Sequence, residues 1–159
     1  MRWDLIERFE ILKKGDHARA VKSFSGKEDF FEEHDPGHPR MPEPLFLEMI
    51  AQTGGVLFGL GIDFKKEVIL AKIGQGRFYE PVPPPCDFTI DAAIDDAREE
   101  GAWISGTVKS GERLVAEASI LLVTMDALDA SHSQRIVFNE NFLKHYGIFQ
   151  VVKSSGAAV

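Results

Sequence analysis

Residues 45–62 read LFLEMIAQTGGVLFGLGI, and this run of 18 residues, apolar on nearly every face, decides the fold. Its length would allow it to cross a membrane, but Glu48 would then place a carboxylate in lipid at a cost of about 2.5–3.5 kcal/mol. No basic flank precedes it, as a membrane-inserted segment usually requires. We therefore predict a buried core helix from Glu43 or Pro44 to Leu60, with the proline in its first turn, and no membrane span.

Segments with the character of β-strands lie on both sides of this helix. Two precede it, at residues 3–13 and 17–25, joined by a hairpin turn candidate at Lys14-Gly15-Asp16. Four follow it, at residues 67–79, 87–98, 102–110 and 113–125. Because a helix that is apolar nearly all round has to be covered on most sides, we predict an α+β fold in which an antiparallel sheet wraps around one long central helix. A second copy packed edge to edge would extend that sheet.

The segment between the second strand and the helix, residues 27–44, is dominated by residues that restrict or loosen the backbone: Pro36, Gly37, Pro39, Pro42 and Pro44. Proline removes a backbone donor and clashes with the preceding helical turn, so this density predicts a structured loop without a helix.

Composition limits the classes of partner and compartment. The chain has 159 residues and a formal net charge of −7, which argues against nucleic acid as the main partner because phosphate binding needs a surplus of Lys and Arg. Its single cysteine, Cys86, cannot form an internal disulfide. The N-terminus carries charges at once and has no apolar signal core. We therefore expect a cytoplasmic protein.

The C-terminal part of the chain differs in character from the rest. We place a domain at residues 1–126 and a C-terminal extension at 127–159 that is partly helical or disordered and has no assigned function. Within the extension, 126–134 has the composition of a polar linker, and Asn139 is a candidate cap for a short helix ending at His145 or Tyr146. Residues 154–159 are expected to fray.

Glu48 is the only ionisable side chain between Pro44 and Ile62. Burial disfavours a carboxylate and favours the neutral acid, which can then donate a proton near neutral pH. The alternative is a structural glutamate whose polar atoms are satisfied by a neighbouring group. Gln52, one helical turn later, is spaced to hydrogen-bond Glu48, although it could equally be a satisfied core amide.

His34 stands at the edge of the proline-rich segment, where the fixed backbone would hold its imidazole in place. That suits a general base, which needs a fixed position and a pKa near the working pH; the alternative is a solvated surface histidine. His34 and His38 have the spacing of a helical metal pair, but the prolines between them argue against helix there, so no metal site is expected. No glycine-rich nucleotide loop occurs either, and no cofactor is expected.

The residues HDPGHPRMP at 34–42, followed by Leu45, Glu48, Ala51-Gln52 and Gly55, resemble the motif of the 3-hydroxyacyl-acyl-carrier-protein dehydratases of fatty-acid synthesis, which are hotdog-fold enzymes. The similarity extends over roughly residues 6–125, with further matches at Ala71-Lys72-Ile73, Arg77-Phe78, Pro81-Val82 and 115–118.

The resemblance implies a reaction and roles for the residues. A (3R)-3-hydroxyacyl thioester would lose water to give the trans-2-enoyl thioester. His34 would take the proton from C2, and Glu48 would protonate the departing hydroxyl. The backbone N–H of Glu43 would bind the thioester oxygen at the helix N-terminus. Gly37 and Gln52 would support the site.

The resemblance also implies partners: an acyl carrier protein that delivers the substrate, and a homodimer in which histidine and acid come from opposite subunits, with a trimer of dimers as the larger assembly. Three positions depart from the family pattern. Asp35 replaces a phenylalanine, Glu43 replaces a glycine and Glu80 replaces a basic residue. Two alternatives therefore stand beside the dehydratase: another hotdog enzyme such as a thioesterase, and a catalytically weakened subunit that binds acyl carrier protein, which Glu43 and Asp35 favour.

Overall fold

A computed structural model describes residues 4–125 and 138–156 as six strands and four helices. The strands are β1 (Arg8–Leu12), β2 (His17–Phe24), β3 (Glu67–Phe78), β4 (Cys86–Arg98), β5 (Gly101–Ser110) and β6 (Arg113–Met125). The helices are α1 (Asp29–His34), α2 (Glu43–Gly61), α3 (Glu140–His145) and α4 (Ile148–Ser154). All strand pairings are antiparallel, and the order in the sheet is β1-β2-β4-β5-β6-β3.

The sheet curls around α2, as the sequence predicts. Helix α2 contacts five of the strands, and its ridge of Met49, Ile50, Val56 and Leu57 is fully buried. Two register shifts in β3, between Leu70 and Lys72 and between Ile73 and Gln75, fit a strand that bends as it wraps. By length and composition α2 could cross a membrane, but 67% of it is buried inside the protein. It is therefore the core helix that was predicted.

Helix α1 corrects the prediction of a helix-free loop at residues 27–44. The prolines begin only at Pro36, so the argument from proline density did not apply to residues 29–34. Phe30 and Phe31 drive the turn into the core, where both rings pack edge-on or tilted against Phe24 and each other. The helix ends where the proline requires it, with Asp35 in a non-helical conformation (φ −143°, ψ 80°).

The described part of the C-terminal extension is ordered against the sheet. Asn139 caps α3 as predicted, its Oδ1 accepting from the backbone N–H of Phe142 at 3.0 Å. The predicted polar linker lies outside the described residues. Fraying from residue 154 was wrong for 154–156, because α4 runs to Ser154 and the hydroxyl of Ser155 accepts from the backbone N–H of Leu12 at 3.1 Å. The helical spacing of Ile148, Val151 and Val152 was the sequence signal for α4.

Two glycines let α2 approach the sheet closely. A Cβ at Gly106 of β5 would lie 2.3 Å from Cγ2 of Ile50, and one at Gly54 of α2 would lie 2.9 Å from Cγ2 of Ile104. Both isoleucines are fully buried. The short distance between helix and sheet therefore requires glycine, which has no side chain, at these two positions.

We predict that Gly106→Ala lowers the free energy of unfolding by about 1–3 kcal/mol, because an extra methyl group has to displace a packed isoleucine. Urea denaturation followed by circular dichroism measures the change. The control is Gly61→Ala, since a Cβ at Gly61 meets nothing within 4 Å. Equal stability of the two variants would contradict the proposed close packing.

Candidate active site

His34 is the last residue of α1, and its position is fixed by the core. The buried Phe31 anchors the helix, while the side chain of His34 remains 34% exposed. Its Nε2 lies 3.8 Å from Oε2 of Glu43, the first residue of α2. The structure thus brings His34 to the N-terminus of the central helix, next to a carboxylate that the sequence motif does not predict as its neighbour.

The turn after His34 is built by Gly37 and closed by an ion pair. The N–H of His38 donates to the carbonyl of Asp35 at 3.0 Å, and Gly37 has a φ of +83°, which together with Pro36 makes a type II turn. The carboxylate of Asp35 lies 3.1 Å from the buried Nε of Arg40, an ion pair without hydrogen-bond alignment. Asp35 is therefore directed across the turn to Arg40.

Glu48 and Gln52 form a hydrogen-bonded pair on α2. Nε2 of Gln52 donates to Oε1 of Glu48 at 2.9 Å, and Oε1 of Gln52 accepts from the backbone N–H of Leu5 at 3.3 Å. The amide of Gln52 is thereby oriented, and the hydrogen bond predicted from the spacing is present. Glu48 is half-buried rather than enclosed by apolar side chains, because a cavity opens beside it.

This cavity has a volume of about 330 Å³ and lies between α2, the start of β3 and the C-terminal extension. Glu48, Gln52 and Gly55 line it on the helix side. Its opposite wall includes three aromatic residues that sequence reasoning did not assign to the site: Phe138, Phe142 and Tyr146. Their spacing of four residues, typical of one helix face, was the signal available. His34 is not among the lining residues.

The N-terminus of α2 offers fewer backbone donors than an ordinary helix. Glu43 occupies the first position, where an N–H has no intrahelical acceptor. Pro44 has no N–H, and the N–H of Leu45 is used by the carbonyl of Pro42 at 3.0 Å. The N–H of Glu43 is thus suited by position to bind an anion, and its role as an oxyanion donor stays a prediction.

Cys86 is unsuited to nucleophilic catalysis. It is 6% exposed, and burial, followed by the charges of Asp87 and Glu28, raises its pKa to about 12. Among residues 4–125 and 138–156, no three His, Cys, Asp or Glu side chains converge in a way that could hold a metal ion.

A single sheet curled around one helix, with a histidine at the helix N-terminus and an acid one turn inside, defines the class as hotdog-fold proteins. A family model described as a FabA-like domain matches residues 2–119, and the chain belongs to this family. The protein named 3-hydroxyacyl-acyl-carrier-protein dehydratase FabZ from Hydrogenobaculum sp. is 32% identical over 120 residues, which cover 74% of this chain and 81% of that protein.

Solved structures agree on the fold. The dehydratase heterocomplex ApeI:P from Xenorhabdus doucetiae matches with a TM-score of 0.59 and 15% identity, covering 86% of this chain and 91% of that one. The thioesterase HI1161 from Haemophilus influenzae matches with a TM-score of 0.58 and 14% identity, covering 80% and 81%. At such identities the similarity establishes the hotdog fold and does not separate dehydratase from thioesterase.

We predict that Cys86 in the folded protein reacts with iodoacetamide at pH 8 about 10³-fold more slowly than an ordinary cysteine. With a pKa of about 12 the thiolate fraction at that pH is roughly 10⁻⁴, against about a quarter for a thiol with a pKa near 8.5. The rate should rise about tenfold for each unit of pH. Mass spectrometry measures the labelling, with the urea-unfolded chain as control; rapid labelling of the folded protein would refute this assignment.

Proposed function

We propose that this protein dehydrates a (3R)-3-hydroxyacyl thioester, carried on an acyl carrier protein, to the trans-2-enoyl thioester. The observation that carries the proposal is Glu48, half-buried beside a cavity and oriented by Gln52, in a chain of the FabA-like family. Several curated relatives at about 30% identity carry the name of this dehydratase.

In the proposed reaction the proton at C2 moves to His34, and Glu48 in its acid form protonates the hydroxyl at C3, which leaves as water. Negative charge that develops on the thioester oxygen is met by the N–H of Glu43 and the positive end of the α2 dipole. Gln52 holds the carboxyl of Glu48, and the turn at Gly37 shapes the backbone beside His34. No covalent intermediate is needed, in keeping with the inert thiol of Cys86.

We propose that a second copy completes each site. Within one chain His34 contacts Glu43, whereas Glu48 faces a cavity whose lining does not include His34. The edge strand β3 supports a homodimer, because it leaves large apolar side chains exposed on an unpaired edge: Ile69, Leu70, Ile73 and Phe78. Pairing of two such edges would continue the sheet and bring the base of one copy toward the acid of the other. A trimer of dimers is the larger assembly compatible with this contact.

An acidic acyl carrier protein would dock on basic side chains, because opposite charges attract across an interface. This chain would therefore need a local basic patch in spite of its net charge of −7. Two basic side chains are already paired with acids of their own chain: Arg19 with Asp91 at 2.7 Å and Arg77 with Glu117 at 3.3 Å. Arg113 pairs with Glu80, the position that departs from the family pattern. We place the reaction in the cytoplasm, where its carrier-bound substrates would be made.

A catalytically weakened carrier-binding subunit is the second candidate, and one observation favours it. The carboxylate of Glu43 lies 3.8 Å from Nε2 of the presumed base, His34, where the family has a glycine without a side chain. A thioesterase has no comparable support, since the similarity to thioesterase structures reaches only the fold.

We predict that Glu48→Gln and His34→Ala each lower kcat for dehydration by about 10²–10⁴-fold while the fold is kept, because each removes one proton-transfer group. The assay follows interconversion of 3-hydroxyacyl and trans-2-enoyl carrier protein by mass spectrometry. Glu112→Gln, an exposed acid in the β5–β6 turn, is the control and should retain wild-type activity.

Three outcomes of this assay separate the candidates. Interconversion by the wild type that is lost in both variants supports the dehydratase. Release of free acid would replace it by a thioesterase. Carrier binding without turnover, unchanged by His34→Ala, would replace it by the weakened binding subunit.

We also predict that mixing the His34→Ala and Glu48→Gln chains under subunit exchange restores about a quarter of wild-type activity. Random pairing makes half of the dimers mixed, and each mixed dimer has one site with both groups intact. Steady-state turnover before and after exchange measures the recovery, with each variant exchanged with itself as control. Absence of recovery in a demonstrated mixed dimer would place His34 and Glu48 of one site on the same chain.

A further inference from the structure

The cavity beside Glu48 continues along one face of α2. Glu48, Gln52 and Gly55 all line it, and their spacing of four and three residues places them in a row. The row extends about 10 Å along the helix axis, at about 1.5 Å per residue. Val68 of β3 and Leu122 of β6, both buried, also line the cavity. A substrate whose C3 lies at Glu48 therefore finds a cavity of mixed polar and apolar lining that runs along α2 away from the reacting carbons.

An aromatic row from the C-terminal extension, formed by Phe138, Phe142 and Tyr146, lines this cavity along its length. The rings of Phe138 and Phe142 are 5.1 Å apart, and those of Phe142 and Tyr146 are 4.6 Å apart. Phe138 reaches α2 itself, since a Cβ on Gly55 would lie 3.0 Å from its Cζ. The ring of Phe138 thus lies at the Gly55 end of the cavity, and it can pack this closely on α2 because Gly55 has no side chain.

The aromatic row is anchored at Tyr146 and by the buried residues around it. The hydroxyl of Tyr146 hydrogen-bonds the carboxylate of Asp4, and its ring packs edge-on against Phe9 of β1 at 6.3 Å. Between and after the aromatic residues, Leu143 and Ile148 are buried in the core cluster that includes β1 and the end of α2. Displacing the aromatic row would expose the buried side chains of Leu143 and Ile148 to solvent. The row is therefore expected to stay in place when substrate binds.

We propose that Phe138, Phe142 and Tyr146 form a stop that limits the acyl chain accepted by this enzyme to medium length. This inference rests on the proposed dehydratase function. A channel of about 10 Å accommodates roughly eight extended carbons beyond C3, and a volume of about 330 Å³ is at the small end of ligand cavities. Longer chains meet Phe138 and Phe142. Because these residues lie outside the stretch that matches the family model, residues 2–119, the stop is a feature of this chain's extension.

The test compares wild type with Phe142→Ala over 3-hydroxyacyl substrates of four to sixteen carbons, measuring kcat/KM for each length. The control is Phe149→Ala, which removes a phenylalanine of the same extension that is 57% exposed on α4. Thermal unfolding of all three proteins shows whether the folds are comparable. In parallel, calorimetry measures the affinity of the matching trans-2-enoyl pantetheine thioesters, a readout that does not require turnover.

For wild type and Phe149→Ala we expect kcat/KM to fall at least tenfold between ten and sixteen carbons. For Phe142→Ala we expect the fall to move to chains longer by roughly two to four carbons, in line with the volume vacated. Wild-type turnover that is equally fast at ten and sixteen carbons, or an unchanged limit in a folded Phe142→Ala, would overturn the stop and leave the dehydratase intact. Absence of turnover at every length, with affinity independent of length, would remove both proposals.

Discussion

The structure depends on the need to cover a helix that is apolar on almost every face. The first half of α2 meets this need through the curled sheet, where Phe46, Met49 and Ile50 pack among side chains of β4, β5 and β6. The second half packs elsewhere: Val56 and Leu57 belong to a cluster shared with β1, β2 and the C-terminal helices. The sheet thus covers both halves of the helix, and the extension adds to the covering of the second half.

The candidate site residues Glu48 and Gln52 lie where the sheet does not fully cover α2. An open sheet has two edges, β1 and β3, and they do not pair with each other in the described chain. Glu48 and Gln52 lie on the part of α2 that faces the cavity near β3. A carboxyl and an amide are tolerated there because they bond to each other and to the N–H of Leu5 and face an open cavity. The same gap that admits water and substrate to the acid is the one that a second copy would border.

Local patterns were sufficient for much of this arrangement. The four strands after the helix, the Lys14–Asp16 turn and the extent of α2 follow from periodicity, turn residues and the length of the apolar run. His34 and Glu48 were proposed from their local setting and from the motif that joins them, and their roles stay predictions. Interactions between distant parts of the chain were beyond such patterns: the contact of Ser155 with Leu12 and the packing of Phe138 on Gly55 depend on where the extension docks. Helix α1 was missed for a different reason, since the argument from prolines was applied to residues that precede them.

The two departures from the family pattern next to His34 have unequal consequences in the structure. Asp35 is paired with Arg40 across the Gly37 turn, so its charge is compensated there. Glu43 instead has its carboxylate 3.8 Å from Nε2 of His34. Its position at the start of α2 gives its two parts opposite effects: the N–H can donate to a developing oxyanion, while the carboxylate is an anion already stabilised by the helix dipole. A negative charge on the thioester oxygen would therefore have to form beside a resident negative charge. Glu43, and not Asp35, is therefore the departure that opposes the build-up of negative charge in the site.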